Sequence, residues 1–334
     1  MHPPLRRYSE KPTPHAQTVQ GFTLLELLIS LTIGLVILAA SLQAYVSSSR
    51  NSRISQLETQ LNEDGILALN LIQQQVKQAG YSQQLRPASE STVMGNYSGL
   101  AVRGCDHGFD NVGAPFDNLS CKSGPGPAAL AIRYEATPDN TSPTNAGDPT
   151  NCIGNGILRV EPSQVAPAIN PPAGPYALAD NRYFVKTNGG QPSLSCQGTE
   201  KSGSGANAIG SAQPLLPDVE DMVIRYGIAT QGSLELASSY DVMKHQIIKY
   251  ATAAEIDALP SSGTITDPTQ DRWSRVLSVR ICVIMRSELP VQDAPDGAMK
   301  YKDCENVDRG ITDNYLRRAF TTTVLLRNRL VTPP

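Results

Sequence analysis

Three kinds of residue in this chain are of types that do chemistry. The first is Glu26, a lone carboxylate inside the apolar run "QGFTLLELLISLTIGLVILAASLQAYVSSSR" (residues 20–50). An Asp or Glu at mid-membrane costs ~2.5–3.5 kcal/mol on insertion scales. A carboxylate kept there calls for a cationic partner. The second kind is cysteine: Cys105, Cys121, Cys152, Cys196, Cys282 and Cys304. None forms a CxxC pair, so zinc-ribbon and thioredoxin chemistry lack their spacing. The third is histidine. His2 and His15 precede the apolar run, and His107 and His245 stand alone beyond it. Isolated histidines read as surface or structural groups. No HExxH, GxSxG, Walker A or EF-hand pattern occurs. "PDNTSPTNAGD" offers oxygen ligands, but its spacing and prolines make it a solvated turn. No metal, cofactor or catalytic constellation is expected, and the chain reads as non-enzymatic.

The element that must carry Glu26 is a helix. Leu27 to Ser49 holds 23 residues without a charge, or roughly 34 Å of helix at ~1.5 Å per residue, enough to span a bilayer. Upstream, Arg6, Arg7 and Lys11 outnumber Glu10, which puts that flank in the cytoplasm and the rest of the chain across the membrane. By residue pattern alone, a cleaved secretory signal ending near "ILAAS", a plain signal anchor and a soluble core helix compete with a longer-lived membrane helix. The helical pattern continues. Ile54, Leu57, Leu61, Ala68, Ile72, Val76 and Ala79 recur at three- and four-residue steps, an apolar stripe to lay on a sheet, and Gly80 suits a C-terminal cap. Gly34 and Gly65 are the points where such a helix is weakest.

Beyond Gly80 the chain is loop-rich: 26 Gly and 25 Pro with only 5% aromatic residues point to a mainly β body. Strands are expected at 100–103, 129–135, 157–161, 182–186, 221–229, 276–287 and 320–330, with loops at 137–151, 166–175 and 200–214. A capping box at Thr252 and Glu255 opens a short helix that stops at Pro260. All six cysteines lie in this part, and an even count beyond a membrane segment reads as disulfides in an oxidising compartment. Six cysteines allow 15 pairings. The sequential set (105–121, 152–196, 282–304) is the one expected, because each pair brackets a Gly/Pro/Asp-rich loop. The net charge of −3 and the lack of a basic cluster argue against nucleic acid as a partner.

"GFTLLELLISLTIG" resembles the class III signal of type IV pilins and pseudopilins. The resemblance implies that a prepilin peptidase cuts between Gly21 and Phe22 and methylates the new amino terminus of Phe22. It also implies that Glu26 docks the subunit by pairing with the amino terminus of a neighbour. Gln43 stands where major pilins commonly carry proline, which suggests a less abundant relative. Less specifically, "VEDMVIRYGI", "WSRVLSVRICVIMRS" and "YLRRAFTTTVLLRNRL" resemble the body of PilW-type minor pilins, similar in fold to the J-type pseudopilin of type II secretion. The implied fold is α+β and pilin-like, a long amino-terminal helix packed on a mainly antiparallel sheet with disulfide-braced loops. The implied parts are a leader (1–21), a membrane or filament-core half-helix (22–49), an amphipathic half-helix (50–80) and a periplasmic body (81–334). The implied function is that of a minor pilin that helps start type IV pilus assembly within a tip complex. The alternative is a J-type pseudopilin, and less favoured is a membrane-tethered periplasmic binding protein or enzyme. Implied partners are the prepilin peptidase, other minor pilins, the major pilin, a large tip adhesin and the bacterial inner membrane, with final placement on a surface pilus.

Overall fold

The structure is a computed structural model that describes residues 21–85, 94–97, 99–160, 174–203, 205–232, 241–262, 265–291 and 299–329. The leader up to residue 20, residue 161 of the expected strand 157–161, most of the 166–175 loop and residue 330 of the last expected strand lie outside them. The chain divides into two units, one ending at Ile54 and the other starting at Ser55.

Helix α1 runs Leu24–Gln78, unbroken at Gly34 and Gly65. In the first unit nearly every side chain is exposed, including Leu24, Leu25, Val36 and Leu38. A helix that is apolar on all sides belongs in lipid or in a helix bundle rather than at a water interface. In the second unit Leu57, Leu61, Gly65, Ala68, Ile72 and Val76 are buried, the stripe read from the sequence. Gly65 is not a hinge: a Cβ there would collide with the ring of Phe320, which uses the gap to reach the helix. The helix ends where Gly80 adopts φ 74°, a left-handed turn that glycine accepts without strain. Asn328 Nδ2 then donates to the carbonyls of Lys77 and Gln78 at 3.1 and 3.3 Å, covering helix-terminal acceptors that would otherwise lack partners.

The body is antiparallel throughout. A two-residue pair joins β1 (Gln84–Leu85) to β2 (Met94–Gly95). The larger sheet orders β3 (Val102–Cys105), β4 (Ala129–Ala136), β5 (Ala177–Asn188), β6 (Gln191–Lys201) and β7 (Asn207–Ile209), with β8 (Gln213–Pro217) also on β6. The second sheet orders β10 (Lys249–Ala251), β9 (Val219–Ile228), β11 (Val276–Arg286) and β14 (Arg317–Leu325). A small hairpin, β12 (Lys300–Lys302) and β13 (Asp308–Gly310), sits beside it. Both sheets and the helix stripe share one core that includes Ile72, Val76, Leu130, Ile132, Ile281 and Val283. The fold is therefore α+β, a long amino-terminal helix with an antiparallel body.

Several local expectations change. The strand expected at 157–161 is reduced to a bridge between Val160 and Tyr176. The Asn207 carboxamide takes the place of a strand partner there, accepting from Leu158 N–H and donating to Leu158 C=O, both at 2.9 Å. The loop expected at 200–214 contains β7, which pairs back on the end of β6. The last strand stops at Leu325, and residues 327–329 form a 3-10 turn. Helix α2 (Ala253–Asp257) carries the expected capping box. Helix α3 (Pro268–Trp273), not read from the sequence, starts at an Asp267 cap followed by proline, a combination suited to a first helical turn.

Three disulfides join Cys105 to Cys121, Cys152 to Cys196 and Cys282 to Cys304, with Cα separations of 5.2, 6.4 and 5.8 Å. Each cysteine pairs with the next along the chain. Titration of the denatured, unreduced protein with a thiol reagent is expected to find no reactive cysteine. Six reactive thiols would remove these links and the oxidising compartment they imply.

Candidate functional site

Phe22, Thr23 and Glu26 come together at the start of α1. Thr23 is the N-cap: Glu26 N–H donates to Thr23 Oγ1 at 3.2 Å. In return Glu26 Oε2 accepts from Thr23 N–H at 3.0 Å and from Thr23 Oγ1 at 3.1 Å. This is a reciprocal capping box, T-x-x-E, and the helix dipole favours a carboxylate at that end. The sequence signal for it is "TLLE", residues 23–26, which also lies within the pilin-type motif. Among the described residues Glu26 Oε1 accepts no hydrogen bond, so the carboxylate keeps one oxygen for a donor from elsewhere. Phe22 beside it is 87% exposed. Hydroxyls deeper in the run are satisfied by the helix itself: Ser30 Oγ donates to Glu26 C=O, and Thr32 Oγ1 donates to Ile29 C=O at 2.8 Å. Such back-bonding lets a polar side chain sit in lipid without an orphaned group. The first part of α1 is long and apolar enough to cross a membrane.

In the body, buried charges serve the fold. Arg182 is wholly buried, and its guanidinium grips Asp180 through Nε–Oδ1 at 3.0 Å and Nη2–Oδ2 at 2.7 Å. Glu135, also buried, accepts from Ser82, Gln83 N–H and Asn96. Burial pushes the carboxyl of Asp221 up, with repulsion from Glu220 and Asp303 adding to it. In contrast, hydrogen bonds from Arg317 hold Asp313 down to about 2. The carboxylates of Asp180, Glu135 and Asp313 are each held by donors that tie strands and turns together. His107 Nδ1 lies 3.3 Å from Gly126 C=O, and His245 Nδ1 lies 2.9 Å from Asp241 C=O. Both rings thus fasten turns. A cavity of about 530 Å³ at the end of α1 is bordered by Lys77, Tyr81, Glu135, Asp139, Arg159 and Tyr176. Among the described residues no group of His, Cys, Asp and Glu side chains is arranged to hold a metal ion.

Sequence comparison places residues 17–42 in the prokaryotic N-terminal methylation motif. Residues 182–328 match the family model for type IV pilus-assembly protein W. No curated protein matches the chain. Among solved structures, a type IV-like pilin from Thermus thermophilus is similar at 9% identity and a TM-score of 0.33, covering 80% of this chain and 97% of that one. The methylation motif spans the Thr23–Glu26 cap, and the body match spans β5 to the turn that covers the helix end. The two matches fall on one chain and together support a type IV minor pilin of the PilW type.

Proposed function

We propose that this protein is a structural minor pilin that helps initiate type IV pilus assembly and sits in a tip-associated complex with other minor pilins. The observation that carries the reading is one chain holding both an exposed, wholly apolar helix start with Glu26 at its cap and a pilus-assembly body. In this reading the prepilin peptidase cleaves between Gly21 and Phe22, and the new α-ammonium of one subunit meets the free oxygen of Glu26 on the next. Attraction between such charges is strong where water is excluded, and an unpaired carboxylate there is penalised. The first subunits of a filament lack that partner, so nucleation is the slow step. Several different minor pilins associating together would overcome it cooperatively. The body then crosses to the periplasm, with the helix as a single membrane pass until assembly. Other minor pilins and the major pilin are its partners, and a large tip adhesin would cap the complex.

Three measurements test this. Mass spectrometry of the mature protein is expected to show N-methylated Phe22 as the first residue, whereas a terminus near Ser41 would mean ordinary signal-peptidase cleavage. Deleting the gene is expected to leave the major pilin made and processed but few pili displayed, with recovery when retraction is blocked. Immunogold label spread evenly along the shaft, without enrichment at the ends, would overturn the tip placement.

A further inference from the structure

Resting on that reading, we infer that the outer edge of β14 is the docking edge for an extended, carboxylate-bearing strand from a different pilin subunit. The register shows which backbone groups are free. Leu326 N–H donates to Leu277 C=O and Ser287 N–H to Leu316 C=O, so the even-numbered residues of β14 bond inward to β11. In an antiparallel ladder the alternate residues then point away. The N–H and C=O groups of Arg317, Ala319, Thr321, Thr323 and Leu325 therefore face outward. Among the described residues none of them meets a backbone partner.

This edge stands apart from the others in the molecule. Sheet borders are usually made short, interrupted or covered, because a row of unpaired backbone groups recruits other strands. Here β3 has four residues, β7 three and β10 three. In contrast, β14 has nine, with no proline and no lysine, and pairs with β11 without a register shift. A row of alternating donors and acceptors is satisfied as a whole only by another extended backbone. Thr321 and Thr323 are exposed and Leu325 is 48% exposed, so an added strand would also gain side-chain contacts.

Charge chooses the occupant. Arg317 is already committed to Glu220 and Asp313. Arg318 bonds the neutral Asn62, and Arg327 is exposed; neither pairs with a carboxylate among the described residues. Antiparallel pairing of β14 with a second copy of itself would bring Arg318 of one chain toward Arg327 of the other at each end, which is repulsive. A strand with carboxylates at those ends is attracted instead. The occupant is thus another kind of subunit rather than a second copy.

Proline is tolerated on an edge strand where its missing N–H faces outward, so Thr323→Pro removes one docking donor without breaking the ladder. In full-length protein purified from membranes, Thr323→Pro is expected to keep its three disulfides and its melting transition. Recovery of other minor pilins with it should fall about ten-fold, while Thr323→Val, which keeps the N–H, behaves like the wild type. A photocrosslinking residue at position 323 should join a strand of another pilin, and it decides the matter should the proline variant not fold. Normal co-purification of a folded Thr323→Pro, a crosslink within the same chain or to a second copy, or no crosslink overturns the inference. Gene deletion with unchanged piliation would sink the assembly reading itself. If deletion removes pili but Thr323→Pro does not, the edge proposal alone fails.

Discussion

A Glu26→Ala variant is expected to insert in the membrane and be processed normally, yet to reduce surface piliation by about ten-fold or more. Removing a carboxylate from lipid relieves ~2.5–3.5 kcal/mol at mid-membrane and less near an interface, so insertion gains nothing from the charge. On the proposed pairing, what is lost is the attraction between Glu26 and a neighbour's α-ammonium, which a low-dielectric filament core strengthens. The capping box adds a competing explanation, because Glu26 Oε2 also accepts from Thr23 and losing a cap costs about 0.5–2 kcal/mol. Glu26→Gln separates the two. Its carboxamide oxygen can still take the Thr23 N–H, since Gln serves in capping boxes as Glu does, but it carries no charge. If Gln fails like Ala, the charge pairing is what matters. Normal piliation with Gln would leave helix capping as the sufficient role and the pairing dispensable.

An Asp180→Ala variant is expected to destabilise the body by about 3–5 kcal/mol, the usual cost of stranding a buried charge. Arg182 has no exposed side-chain surface and cannot turn to water. Asp180 Oδ2 also lies 3.5 Å from Arg133 Nη2, but Arg133 keeps Asp117 at 3.3 Å, so the stranded charge is that of Arg182. For a body of this size the melting temperature should fall by roughly 10 °C. The paired change Asp180→Ala with Arg182→Met removes both charges and is expected to recover a large part of the loss, because an apolar replacement of a buried pair is often neutral. Thermal unfolding of the wild type, Asp180→Ala, Arg182→Met and the double variant checks this. A double variant no more stable than Asp180→Ala would show that the ion pair is not what the site depends on.

What the sequence determined by itself was local and periodic. An uncharged run of 23 residues, a stripe at three- and four-residue steps and a left-handed stop at Gly80 are each dictated within a turn or two of helix. The structure accordingly carries α1 from Leu24 to Gln78. The strands with β-branched alternation, β9 and β11, were legible for the same reason, and the T-x-x-E cap at Thr252 was explicit. Two other local signals were present but unread: the Thr23–Glu26 box and the turn between β5 and β6. At that turn Gly189 and Gly190 take φ 58° and 83°, the mirror-image conformation of a two-residue hairpin.

Tertiary structure alone decided the rest. Strand β6 reads "QPSLSCQGTEK", with little intrinsic preference for extension, yet it lies between β5 and both β7 and β8. Its backbone hydrogen bonds are filled on both sides by other strands, and strand preference is largely a matter of such context. Residues 157–161 fail for the converse reason. Their composition suits a strand, but the partner available is a side chain, Asn207. Gly65 looked like a weak point while only helix propensity was in view, and became a contact once Phe320, 255 positions later in the sequence, packed over it. Likewise the free edge of β14 is a property of sheet order, which residue pattern does not encode. The face a strand turns inward is set by its own alternation; whether its outer hydrogen bonds are filled depends on which strand the chain brings alongside.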